Sequence, residues 1–138
     1  MNPLSSVQKV FILLGSLMGA SGVLIGAIGA HWLKDILNYW ERSSFETGVR
    51  YQMYHALALL IVVVLQSIMP SKWLNWAGYL IIGGTVLFSG SLYLLSIRLP
   101  FNMPFLSVLG PVTPIGGIGL FAGWALLGVA VLTSWKTR

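Results

Sequence analysis

An ionisable side chain inside a long apolar run is expensive to place in lipid, so it marks a functional candidate wherever it occurs. The chain has two histidines and few charges of any kind. His55 and Arg50 stand at the start of one such run, with Tyr51 one helical turn before His55 and Glu46 one turn before Arg50. Acid before base at that spacing is the favourable order on a helix. Ser89, Ser91 and Tyr93 stand near the end of another apolar run, Thr113 opens a further one, and His31 closes the first. If these runs cross a membrane, all of these groups belong to one leaflet. His55 is then expected about 8 Å deep and the Ser89–Tyr93 group about 8–13 Å deep, at the helical rise of about 1.5 Å per residue. The set predicts one polar cluster that is either a network pinning helix ends together or a pocket for a small molecule, lipid headgroup or proton.

Other chemistries fit less well. His55 with Ser89 or Ser91 would make a serine hydrolase without a carboxylate to orient the base, and Phe88-Ser89-Gly90-Ser91 is no nucleophile elbow. His31 and His55 with Asp35 or Glu46 fall short of a metal site, because no His-x-x-x-His pair brings ligands together. Cysteine is absent, which removes disulfides, thiol nucleophiles and thiolate metal sites. No phosphate loop, haem-attachment or dinucleotide pattern occurs. The expectation is therefore a protein that is not an enzyme and holds no metal and no cofactor.

The composition dictates which elements carry these residues. Of 138 residues, 57% are hydrophobic and 8% charged, too few charges to cover a water-facing surface. Runs of about 20 apolar residues suit a hydrocarbon core about 30 Å thick. Four spans are predicted, over residues 10–30, 50–69, 73–97 and 114–135. The fold class is thus all-α, an integral membrane four-helix bundle forming a single membrane domain over residues 1–138. The first run is too long, and Gly29-Ala30-His31 too poor a cleavage site, for a signal peptide, so it is read as an uncleaved span. Between the first two spans, Leu33, Ile36, Leu37 and Trp40 recur at helical spacing opposite Lys34, Asp35, Asn38, Glu41 and Arg42. This pattern predicts a short amphipathic helix over residues 32–45 lying flat at the interface. Pro70-Ser71-Lys72 predicts a tight hairpin. Pro100, Pro104 and Pro111 forbid a regular helix before the fourth span. The phenylalanines and leucines there predict a segment that packs on the bundle or dips into the interface.

Glycines give the expected contacts. Gly15, Gly19, Gly22, Gly26 and Gly29 repeat every four and three residues on the first span. Gly83, Gly84 and Gly90 mark the third, and Gly116, Gly119 and Gly123 the fourth. Small residues at this spacing let helices approach closely in lipid, which leaves little room for a wide pore.

Orientation follows from the cations. The net charge of +5 reflects lysines and arginines that flank apolar runs, a pattern of topology signals and lipid contacts, with no nucleic acid implied. Lys9, Lys72, Lys136 and Arg138 fall on one side, and Lys34, Arg42, Arg50 and Arg98 on the other, where all the acids also lie. Acids count little under the positive-inside rule, so both termini are expected in the cytoplasm. Trp73, Trp76 and Trp135 mark that interface, Trp32 and Trp40 mark the opposite one, and Trp124 alone falls mid-span.

Four stretches are distinctive as motifs: Gly26-Ala27-Ile28-Gly29-Ala30-His31-Trp32-Leu33-Lys34, the run from Phe45 to Ala58 containing Gly48-Val49-Arg50-Tyr51-Gln52-Met53-Tyr54-His55, Phe88-Ser89-Gly90-Ser91-Leu92-Tyr93, and Thr113-Pro114-Ile115-Gly116-Gly117 with Ala122-Gly123-Trp124 after it. Together they resemble the YgdD/YwdK family of small bacterial inner-membrane proteins, which has relatives in animals. The resemblance implies four spans and an inner-membrane location, and it assigns no catalytic residues. The partner expected first is the lipid bilayer. Competing readings are an accessory subunit or assembly factor of a larger membrane complex, and a homo-oligomeric channel or transporter.

Overall fold

A computed structural model describes residues 3–135; the side chain of Trp135 and residues Lys136 and Arg138, invoked above for the interface and the charge count, lie outside the described residues. Helix α1 spans Ser6–His31, α2 Tyr39–Ile68, α3 Lys72–Ile97 and α4 Val112–Trp135, with a 3-10 helix over Pro104–Leu109. Among the described residues, four helices are long and apolar enough to cross a membrane.

Side-chain caps set the helix starts. At α1, Ser5 Oγ accepts from the Gln8 amide and Gln8 Oε1 accepts from the Ser5 amide, a reciprocal capping box that begins the helix at Ser6, a turn before Val10. At α2, Asn38 Oδ1 accepts from the amides of Trp40 and Glu41 while the Asn38 amide donates to Glu41 Oε2. No proline follows, so α2 runs 30 residues without a break. That is about 45 Å at 1.5 Å per residue, longer than a bilayer's hydrocarbon.

The flat interfacial helix over residues 32–45 is corrected by this second capping box. Residues 32–37 form turns, and the rest of the segment is the first part of α2. The apolar stripe was read across two pieces that do not share a helix. Leu33 and Leu37 are buried, 5% and 7% exposed, where they plug the Trp32 end of the bundle against Phe45, with Ile25, Val49, Tyr93 and Ile97 around them. Ile36 and Trp40 point outward.

The helices pack in sequence order. α1 lies on α2, α2 on α3, and α3 most extensively on α4, while α1 only brushes α3. That last contact is the Phe11 ring, completely buried in a slot that a side chain at Gly78 would fill. Around it, Leu59, Val62, Leu74 and Ile81 form the core nearest the Pro70 hairpin. The hairpin end also carries polar links, Gln8 Nε2 to Ser67 Oγ at 3.0 Å and Gln66 Nε2 to Asn75 Oδ1 at 2.7 Å. After α3, Asn102 turns the chain with φ 54°, a left-handed conformation that asparagine tolerates. The 3-10 helix that follows touches α3 and α4 and presents Phe105 and Val108 outward.

The glycines divide by face. Gly15, Gly22 and Gly29, seven residues apart, meet Leu60, Met53 and Phe45 of α2. Gly26 meets only Val49, and nothing lies within 4 Å of a Cβ placed at Gly19, Gly83 or Gly90. A seven-residue repeat keeps one seam against a neighbour, whereas intermediate positions drift off it. Gly84 rather than Gly83 carries the α3–α4 contact, because adjacent residues stand about 100° apart on a helix. Its Cβ would come 2.8 Å from the Leu120 amide, and Gly119 stands against the Gly84 backbone. Gly116 lies on the backbone of Phe88, and Gly123 packs on Ile81.

Candidate functional site

The expected single cluster separates into several groups, for a reason visible on α2. Residues four apart share a face and residues five apart do not, so Tyr51 lies with His55 while Arg50 is turned about 140° away. Glu46 and Arg50 stay on the exposed flank, where Glu46 pairs with Arg42 at 3.0 Å and, more loosely, with Arg50 at 3.9 Å. Arg50 also donates to Thr47 Oγ1 at 3.0 Å. His31 is exposed at the end of α1.

Tyr93 turns towards α2 and donates to Gln52 Oε1 at 2.8 Å. Gln52 Nε2 then donates to the Met18 carbonyl at 2.8 Å and to Ser21 Oγ at 2.9 Å. One carboxamide thus links α3, α2 and α1. Ser91 and Thr113 join their hydroxyls at 2.7 Å across α3 and α4. Ser89 is fully buried with no hydrogen-bond partner for its Oγ among the described residues. Its backbone carbonyl lies where Gly48 lets α2 come close.

His55 is 4% exposed and belongs to a different arrangement. Trp124 Nε1 of α4 donates to His55 Nε2 at 3.1 Å. An indole N–H can only donate, so Nε2 is the accepting nitrogen and the ring proton sits on Nδ1. Nδ1 is 2.7 Å from the Tyr51 carbonyl and donates to it. Both ring nitrogens are therefore committed, neither of them to a serine or a carboxylate. The pair lies in the wall of an open cleft of about 700 Å³ between α2 and α4, with His55 buried and Trp124 half-exposed. Tyr51, Tyr54, Phe88 and Phe121 supply its other main surfaces. Tyr51 and Phe88 touch across it, ring centres 4.6 Å apart. The cleft opens on the lateral face of the bundle, and its chemistry is that of an aromatic slot with one polar pair in its wall.

Gln52, Phe88, Phe121 and Trp124 were not among the residues expected at a site. Trp124 had left a signal, as the one tryptophan away from an interface. Gln52 left a weaker one, as an amide inside an apolar run that lipid obliges to find partners. Among the described residues, no group of three or more His, Asp or Glu side chains is placed to hold a metal ion.

The fold and the lateral cleft define a small polytopic α-helical membrane protein. The chain belongs to the family described as "Protein of unknown function (DUF423)", whose pattern matches residues 25–117. It is 42% identical over 125 residues to a UPF0382 membrane protein of Staphylococcus epidermidis, covering 91% of this chain and 97% of the relative. It is 39% identical to the UPF0382 membrane protein YwdK of Bacillus subtilis, over 91% of this chain and 98% of the relative. It is 36% identical to the UPF0382 inner membrane protein YgdD of Escherichia coli, over 91% of each chain. No solved structure matches the chain.

Proposed function

We propose that this protein is a non-enzymatic binding protein that admits an amphipathic, membrane-resident molecule sideways into the α2–α4 cleft. The observation that carries the reading is the cleft itself: about 700 Å³, lined by aromatic rings and open laterally, with the His55–Trp124 pair in its wall. Concave, mostly apolar sites with few polar groups are how proteins hold small hydrophobic molecules. Here the opening faces the medium in which such molecules dissolve. The commitment of both His55 nitrogens argues against general-base chemistry and for a group that shapes and anchors the slot. The name of the E. coli relative supports placement in a bacterial inner membrane. The positive-inside count supports cytoplasmic termini, with the Trp32 end of the bundle in the outer leaflet.

The test is photo-crosslinking of the purified protein in vesicles doped with a phospholipid carrying a diazirine on its acyl chain. Adducts should concentrate on the peptides holding Tyr51–His55 and Phe121–Trp124, and Trp124→Ala should diminish them several-fold. Adducts spread evenly round the outer faces of all four helices would overturn the proposal.

A further inference from the structure

A second cavity, of about 420 Å³, lies between the first turns of α2 and the end of α3, at the Trp32 end of the bundle. Glu41 and Arg98 both line it, with Ser107 beside Arg98. The two carry opposite charges, yet they form no ion pair. Among the described residues both ion pairs use Glu46, so Glu41 and Arg98 stand farther apart than the 4.0 Å of such a contact. Each is held in place by a neighbour. Arg98 Nη1 donates to Ser107 Oγ at 2.8 Å, Ser107 Oγ in turn donates to the Pro104 carbonyl at 2.7 Å, and Glu41 Oε2 accepts from the Asn38 amide at 2.9 Å. Glu41 Oε2 closes the α2 capping box, which leaves Oε1 able to accept from a ligand in the cavity. A guanidinium is suited to phosphate, and a carboxylate accepts strongly from an ammonium group.

The second cavity also stacks on the cleft. Ser44, which lines the upper cavity, and Tyr51, which lines the cleft, lie two turns apart on one face of α2, about 10 Å by helical rise. Leu92 and Phe88 lie one turn apart on the matching face of α3. The touching rings of Tyr51 and Phe88, both in the wall of the cleft, stand between the two spaces, whose linings share no residue. Trp40, 77% exposed, borders the upper cavity and suits headgroup depth.

We infer that the upper cavity is the headgroup site for a zwitterionic phospholipid with a primary ammonium group, its phosphate on Arg98 as Ser107 positions it, its ammonium on Glu41, and an acyl chain running down the outer side of the Tyr51–Phe88 pair to the open cleft. The inference rests on the reading of the cleft given above and specifies its occupant. A free zwitterion would leave the apolar cleft unused. An anionic phospholipid would bring its charge against Glu41 with no cation of its own to offset it.

The full chain is reconstituted in vesicles of equimolar phosphatidylethanolamine and phosphatidylglycerol, re-extracted in mild detergent, and its retained lipid identified by native mass spectrometry. The wild-type protein should hold one phosphatidylethanolamine in preference to phosphatidylglycerol by roughly tenfold, the factor one charge-assisted hydrogen bond supplies. Glu41→Gln, which can still cap α2, should abolish that preference while lipid is still retained. Arg98→Ala should release both lipids, and Ser107→Ala should weaken both. Trp124→Ala should lower retention of both without changing their ratio. A wild-type protein indifferent to headgroup, or a Glu41→Gln ratio equal to wild type, overturns the headgroup assignment. In either case, acyl-chain adducts at the cleft would still support the lateral site. No retained lipid, together with crosslinks spread over all faces, overturns both. Melting in detergent within a few degrees of wild type shows that Glu41→Gln and Ser107→Ala report binding rather than unfolding.

Discussion

At the scale of single residues, the polar side chains inside the membrane segments act as links between particular helices. In lipid an unpartnered polar group has no water to turn to. Gln52 illustrates this, holding Tyr93, Met18 and Ser21 at once. Gln52→Leu strands the Tyr93 hydroxyl and loses two further links. It should cost about 1–3 kcal/mol and lower the thermal midpoint in detergent. Glu46→Gln, which touches only exposed ion pairs, should cost under about 1 kcal/mol. Equal midpoints for the two variants would mean that the Gln52 bonds carry no net stability. Trp124→Phe preserves an aromatic ring while removing the N–H that meets His55, so it leaves a buried imidazole nitrogen unpartnered. The expected loss is about 1–2 kcal/mol, and His55→Phe in the same background should recover part of it. A double-mutant cycle without coupling would contradict the hydrogen bond.

At the scale of elements, what matters is where helices begin and which face they turn inward. The Asn38–Glu41 box makes α2 one long helix of 30 residues whose first turns carry Glu41 and Arg42 ahead of its apolar stretch. Spin labels at Leu33 and Leu37 should be immobilised and shielded from aqueous relaxers. Labels at Ile36 and Trp40 should be mobile. Uniform mobility at all four would restore an ordinary exposed loop. Glycine variants test the seams. Gly84→Leu and Gly116→Leu place a side chain against backbone and should prevent a stable α3–α4 pair. Gly19→Leu meets open space and should leave the melting temperature near wild type. Gly22→Leu falls between, because the atom it strikes is the flexible Met53 thioether at 2.7 Å.

At the scale of the molecule, the bundle is held chiefly through α3, which carries α2 on one side and α4 on the other. The lateral cleft is the consequence. α2 and α4 share α3 as a floor and meet each other mainly through His55 and Trp124. On the proposed orientation, which puts both termini in the cytoplasm, a fluorescent protein fused after Arg138 should be bright and a fused alkaline phosphatase inactive. The reverse pair of results would turn the molecule over and move the Glu41–Arg98 cavity to the inner leaflet.

Composition and run length alone determined that this chain is an all-α membrane bundle of four spans, because lipid permits a backbone few other ways to satisfy its hydrogen bonds. Two helix boundaries, at the Pro70 turn and before α4, coincide with local signals in the sequence, whereas the start of α2 does not. Ser71 and the prolines before α4 act locally, and a local rule needs no knowledge of distant partners. The interfacial segment was misread because hydrophobic periodicity counts residues without seeing the Asn38 cap that divides them. The list of polar residues was largely legible, since each is conspicuous in an apolar run. Their partners were not. Depth and side of the membrane grouped Glu46, Arg50, His55, Ser91 and Tyr93 together, but contact also depends on rotation about each helix axis. That rotation is set by which glycine admits which neighbour, Gly48 to Tyr93 and Gly84 to Leu120. These are pairings between residues dozens of positions apart, and only the packed tertiary structure decides them. The same packing joined Trp124 to His55, and with that pair it created the cleft.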